Sequence, residues 1–156
     1  MATQKERYHM SMAGEYLVAA QLQRLQISSS ITYGNAKRSD IMVFNTESEK
    51  CTSIEVKTTN KKKWPIGNRV PEYLNKIWVF VHLSSSIAEP PKFYILKQSE
   101  IYDILKPIED KYLQNYKIKH GVEYGNRRGV TTITIEQVEK YIDNWEKIVD
   151  IANSNE

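Results

Sequence analysis

The chain has 156 residues, 40% hydrophobic and 26% charged, with a formal net charge of +3. This length and mixture predict a single folded domain over residues 1–156, exclude a disordered tail and leave little room for a second domain. No apolar run approaches the ~18 residues of a membrane helix, the opening MATQKERYHMSM lacks the apolar stretch of a signal peptide, and the lone Cys51 has no disulfide or zinc partner, so the expectation is a cytoplasmic protein without a membrane partner.

From Ser11 to Gln26, residues Met12, Leu17, Val18, Ala20, Leu22 and Leu25 recur at spacings near three and four, which predicts an amphipathic helix. Ile31 to Tyr33 reads as a short strand, and Gly34-Asn35 as a turn. Asp40 then opens Ile41-Met42-Val43-Phe44, whose lack of alternation predicts a strand covered on both faces. After a polar turn from Asn45 to Lys50, Ile54 and Val56 alternate with Glu55 and Lys57, the pattern of a strand with one polar face. The two strands are expected to pair as a hairpin. Asn60 to Asn75, with Pro65, Gly67 and Pro71, reads as a long basic loop outside the sheet.

Ile77 to Leu83 predicts a buried strand, and Lys92 to Leu96 another after the Ser84 to Pro91 loop. Ser99 is placed to cap a helix through Leu105 that Pro107 ends. Residues 107–129, with scattered tyrosines and basic residues, read as an irregular, mobile insertion. Val130 to Ile133 reads as a short last strand, and Thr134 with Gln137 resembles a capping box before a helix that continues or restarts from Trp145 to Ile151. This order predicts an α/β fold with a central mixed β-sheet flanked by helices.

The chemistry concentrates at the hairpin. A turn centred between Glu47 and Ser48 sets Asp40 opposite Glu55, and cross-strand neighbours have Cβ atoms about 4.5–5.5 Å apart. Lys57, two residues beyond Glu55, shares its face. Two close carboxylates repel, a conflict that a hard divalent cation with oxygen ligands removes. Such an ion lowers the pKa of a bound water and stabilises charge on a phosphoryl group, while an ammonium beside it orients the water or neutralises developing charge. The competing reading is an ordinary ion pair on a wet sheet face. Glu109-Asp110-Lys111 repeats the acid-x-Lys triplet outside any predicted strand, so the triplet alone carries little. His82 reads as a packed side chain, and His9 and His120 have no partner to suggest a role.

Gly14-Glu15 on the first helix, Ser39-Asp40 at a strand entrance and Ile54-Glu55-Val56-Lys57-Thr58-Thr59 resemble, in order, the motifs of the PD-(D/E)XK, or restriction-endonuclease-like, nuclease superfamily. The match covers about residues 14 to 59. A looser similarity to small bacterial members runs through Trp78-Val79-Phe80-Val81 and Phe93-Tyr94-Ile95-Leu96 to Tyr141-Ile142-Asp143-Asn144-Trp145. Ser39 departs from the proline of the family's name, at a position that offers no ligand.

The resemblance implies a restriction-endonuclease-like fold. It further implies that Asp40 and Glu55, with the Val56 carbonyl, hold Mg²⁺ or Mn²⁺, that Lys57 is the catalytic lysine, and that Glu15 reaches the metal through water or a second ion. Expected nucleic-acid contacts are Arg38, Thr58, Thr59 and Asn60 at the edge of the site, the Lys61, Lys62 and Lys63 cluster, Arg127 and Arg128, and Trp64 as a stacking surface for a base. The expected activity is metal-dependent hydrolysis of phosphodiester bonds, in DNA first, by a homodimer if both strands are cut. The alternatives are a non-cutting module of the same fold that grips nucleic acid or a partner protein, and an RNA-cleaving toxin.

Overall fold

The computed structural model describes residues 2–33, 39–126 and 129–154. Arg38, Arg127, Arg128 and the turn expected at Gly34-Asn35 lie outside them. The first helix, α1 (Gln4–Arg24), starts seven residues before the apolar stripe does, because its entrance is set by a cap. The Thr3 hydroxyl accepts the Glu6 N–H at 3.2 Å and the Glu6 carboxylate accepts the Thr3 N–H at 2.6 Å, a reciprocal box that satisfies two otherwise unpaired donors.

The strands β1 (Ser29–Ile31), β2 (Ile41–Asn45), β3 (Lys50–Thr59), β5 (Ile77–His82) and β6 (Lys92–Lys97) form one mixed sheet in the order β1-β2-β3-β5-β6. Only β3 and β5 run parallel. The β2–β3 register follows the expected hairpin, with Ile41 opposite Ile54 and Asn45 opposite Lys50. The Asn45 side chain fixes the turn by accepting the Glu47 and Ser48 N–H groups, each at 2.9 Å, and Glu49 takes a left-handed conformation with φ 56°.

The segment read as a basic loop instead contains β4 (Lys63–Gly67), which pairs antiparallel with β7 (Thr131–Thr134) in a second, two-stranded sheet. Pro65 is tolerated because the ladder is short, each strand has only this one partner, and the register shifts between Pro65 and Gly67. Helix α2 (Gln98–His120) runs straight through Pro107. The first part of the segment expected to be an irregular insertion is helical: α2 continues to His120, where Gly121, with a left-handed φ of 68°, caps it, and the Lys106–Asp110 pair bridges the proline's own turn. The Thr134–Gln137 capping box forms as expected and opens α3 (Ile135–Val138); a 3-10 turn (Glu139–Tyr141) follows, and the chain restarts as α4 (Glu146–Asn153).

The five-stranded sheet separates two apolar clusters. On one face Ile41, Val43, Ile54, Val56, Val79 and Ile95 pack under Val18 and Leu22 of α1 and Ile148 of α4. On the other Trp78, Phe80, Tyr94 and Leu96 pack against Ile101 and Leu105 of α2, Val138 of α3, and Trp64 and Ile133 of the small sheet. Helices therefore flank a mixed sheet in an α/β arrangement, as expected. Because Ile54 and Val56 face α1, strand alternation turns Glu55 and Lys57 to the opposite face, beside Trp78 and Phe80 of β5.

Candidate active site

The site forms where β2 begins. Strand β3 pairs with β2 only as far as Ile54, then continues against β5 to Thr59, so among the described residues one edge of its second half lacks a strand neighbour. Asp40 stands at this fork. Its N–H donates to the Ile54 carbonyl at 3.1 Å and its own carbonyl accepts the Thr32 N–H at 3.0 Å, which pins the backbone from both sides. Its side chain does what the missing strand would do: Oδ2 accepts the Val56 N–H at 2.7 Å. In a strand, a residue's N–H and C=O point to the same side, so the Val56 carbonyl faces the gap that Asp40 occupies.

Glu55 and Lys57 project beside this gap. Lys57 Nζ lies 2.8 Å from Glu55 Oε1 and 5.7 Å from the centre of the Trp78 ring. A second ammonium, Lys76, binds the other oxygen, Oε2, at 2.9 Å. Sequence patterning does not single out Lys76: it precedes the buried strand by one residue and shares the alternation of Trp78, but its place beside Glu55 follows from the parallel β3–β5 pairing.

Glu15 arrives from α1, where the adjacent Gly14 lets the helix press onto Thr58. Glu15 is buried and accepts a hydrogen bond from the Ser11 hydroxyl at 3.3 Å. Burial raises its carboxyl above the usual range, and the nearby Asp40 adds to the rise. Burial likewise raises Asp40; the Val56 N–H pulls it part of the way back, and the charge of Glu55 pushes it up again. Burial acts in the same direction on Glu55, but hydrogen bonds from Lys57 and Lys76 outweigh it and hold that carboxylate below its usual range. The three acids thus sense one another in a partly dry environment, two disposed to take up a proton and one kept ionised. An exposed sheet ion pair has no such divergence, whereas catalytic centres commonly do.

In this arrangement Glu55 directs both oxygens to ammonium groups, and among the described residues no three His, Cys, Asp or Glu side chains converge tightly enough to ligate one ion. The donor set nevertheless suits a hard cation: carboxylate oxygens from Asp40 and Glu55, a backbone carbonyl turned to the same gap, and Glu15 behind them. A bound ion would require Glu55 to turn one oxygen away from its lysines.

Two expected nucleic-acid contacts are corrected. Trp64 is fully buried, packs against Phe80 and Tyr94 and donates its indole N–H to the Val81 carbonyl at 3.0 Å, so it cannot stack on a base. The Thr58 hydroxyl is sealed beneath α1 and has no hydrogen-bond partner, so it serves packing and not phosphate binding. Thr59 is also buried and accepts the Lys61 N–H at 3.1 Å. Lys61, Lys62 and Lys63 are exposed where the chain leaves β3. His82 is half-buried at the end of β5, as a packed histidine would be, and Glu109 belongs to α2, where it pairs with Arg69. Among the described residues no helix is long and apolar enough to cross a membrane. No protein-family model matches the chain, and a search of curated proteins finds no match either.

Proposed function

We propose that this protein is a metal-dependent nuclease of restriction-endonuclease-like fold that hydrolyses phosphodiester bonds in nucleic acid, with DNA as the first substrate to test. The observation that carries the reading is the fork between β2 and β3, where Asp40 caps the Val56 N–H while Glu55 and Lys57 project from the adjoining stretch of β3. Mg²⁺ or Mn²⁺, held by Asp40, Glu55 and the Val56 carbonyl with Glu15 behind, would supply a water of lowered pKa and positive charge against the phosphoryl oxygens. Lys57 then orients that water or offsets the charge gathering on the phosphate. Glu15, buried beside Asp40, would reach such an ion through a water or a second ion. The exposed Lys61 to Lys63 cluster provides phosphate contacts along the approach. A homodimer would bring two such sites to the two strands of a duplex.

The double lysine contact on Glu55 favours a second reading, a module of the same fold that grips nucleic acid or a partner protein without cutting. Incubation of the purified chain with plasmid, single-stranded and branched DNA, and with RNA, in the presence of Mg²⁺ or Mn²⁺ separates the two. The nuclease reading requires cleavage that chelation stops and that Asp40→Ala and Lys57→Ala abolish. Salt-sensitive binding with no cleavage and no metal dependence supports the module instead.

A further inference from the structure

Lys76 stands immediately before β5, and strand alternation places it on the face of Trp78, Glu55 and Lys57. Its side chain is 24% exposed, and its ammonium is 2.9 Å from Glu55 Oε2 while Lys57 is 2.8 Å from Oε1. One ammonium would neutralise this carboxylate; the second leaves neither oxygen without a cationic partner. The charges of Lys57 and then Lys76 also act on Asp40, each pulling its carboxyl down, so both ammonium groups belong to the electrostatics of the fork.

We propose that Lys76 is a positioning residue that competes with the divalent cation for Glu55. The metal-free site is then neutralised from within, and loading the metal detaches the Lys76 ammonium from Oε2. This inference rests on the metal-dependent reading above. Its physical basis is the crowding of charge: a dication at the fork with both lysines still on Glu55 would put three cationic centres around one carboxylate at short range. The charge of Lys76, and not its packing, is the competing element.

Calorimetric titration of the full chain with MnCl₂ at fixed pH and ionic strength tests this, using Lys76→Gln, Lys76→Ala and Lys76→Arg. The two variants that remove the charge are expected to bind Mn²⁺ roughly 5- to 50-fold more tightly than wild type, since a partly buried competing charge has been removed. Lys76→Arg, which keeps the charge, stays within about twofold of wild type. Thermal melts without Mn²⁺ verify that each variant folds, and two charge-removing variants guard against the loss of one. Equal or weaker Mn²⁺ binding in a folded Lys76→Gln or Lys76→Ala chain overturns the role of Lys76, provided that wild type binds Mn²⁺ in a manner lost in Asp40→Asn. If neither wild type nor the Lys76 variants show Asp40-dependent binding, the metal reading fails, and this inference with it.

Discussion

Gly14 of α1 and Thr58 of β3 approach so closely that a Cβ at position 14 would lie 1.8 Å from the Thr58 hydroxyl oxygen and 2.9 Å from its Cβ. The obstacle is a β-branched side chain on a central strand, not the far end of a flexible one. Gly14→Ala must therefore lift α1 from the sheet, and the adjacent Glu15 moves with it. The expected cost is about 1–3 kcal/mol, the usual range for overpacking, with a loss of cleavage larger than the loss of stability accounts for. Thr58→Ala in the same chain removes the nearest atom and restores part of both. Urea denaturation and cleavage rates on the single and double variants check this. An additive double variant would show that the contact does not govern the position of Glu15.

The hairpin was legible in the sequence because a polar turn and an apolar alternation independently select one register, and Asp40, Glu55 and Lys57 fall together from that register alone. Lys76 was not, because its relation to Glu55 depends on the parallel β3–β5 pairing, a contact between strands separated by a crossover that no local pattern encodes. Trp64 misled for a related reason. Three lysines before it and a proline after it are loop signals, whereas its burial is decided by β7, roughly seventy residues away in the chain. Pro107 likewise reads as a helix stop, yet Ile101 and Leu105 anchor the helix before it, and Gly121 with Lys117, Lys119 and His120 supplies the true end. The start of α1 is encoded by the Thr3–Glu6 capping box, ahead of the apolar stripe that marks the rest of the helix.

The pH dependence of the metal-free protein follows in part from Asp40 and Glu55, which contribute with opposite signs. Asp40 has a folded pKa above its unfolded value, so its protonated form favours the fold, and stability is lost as pH rises through the folded pKa. Asp40→Asn keeps an acceptor for the Val56 N–H and removes the buried charge. It is expected to melt higher than wild type at about pH 7.5, by on the order of a few degrees. The gap should close as pH falls below the ordinary carboxylate range. Glu55 has a lowered pKa; its contribution is present above the unfolded value and disappears as pH falls through the folded one. Glu55→Gln should therefore melt lower than wild type at neutral pH. Melting curves across pH in the presence of chelator decide this, and a destabilised Asp40→Asn at neutral pH would contradict the assigned environment.

Saturating Mn²⁺ should raise the melting temperature of wild type and leave that of Asp40→Asn unchanged, because a ligand that binds only the folded state stabilises it by mass action. Parallel melts with and without chelator measure the difference. An equal rise in both chains would place the bound ion elsewhere.

Lys57 is expected to matter to turnover more than to metal binding. Its ammonium contacts Glu55 and lies near the Trp78 ring, close to where a phosphate would meet Asp40. Lys57→Met should lower the cleavage rate roughly 100- to 1,000-fold, the typical loss when one group that stabilises transition-state charge is removed, while Mn²⁺ binding persists. Single-turnover cleavage together with calorimetry separates the two effects. Loss of Mn²⁺ binding with the rate would recast Lys57 as a support for Glu55.

Lys61, Lys62 and Lys63 offer a test of the nucleic-acid face that leaves the core untouched, since all three side chains are exposed while Trp64 beside them is fully buried. Replacing the three lysines with alanine should leave the melting temperature within a degree or two and weaken duplex binding without regard to sequence. If each lysine meets one phosphate, the slope of log affinity against log salt falls in magnitude by roughly 2 to 3, because fewer counterions are released. Trp64→Ala should do the reverse: it empties a cavity among Phe80, Tyr94 and Ile133 and is expected to cost about 3–5 kcal/mol, with the salt slope of whatever folded protein remains unchanged. Fluorescence anisotropy across a salt series, paired with denaturation, reads both quantities. An unchanged slope in the lysine variant would mean that the nucleic acid approaches the fork from another side, and the search for contacts would shift to the basic residues of α2.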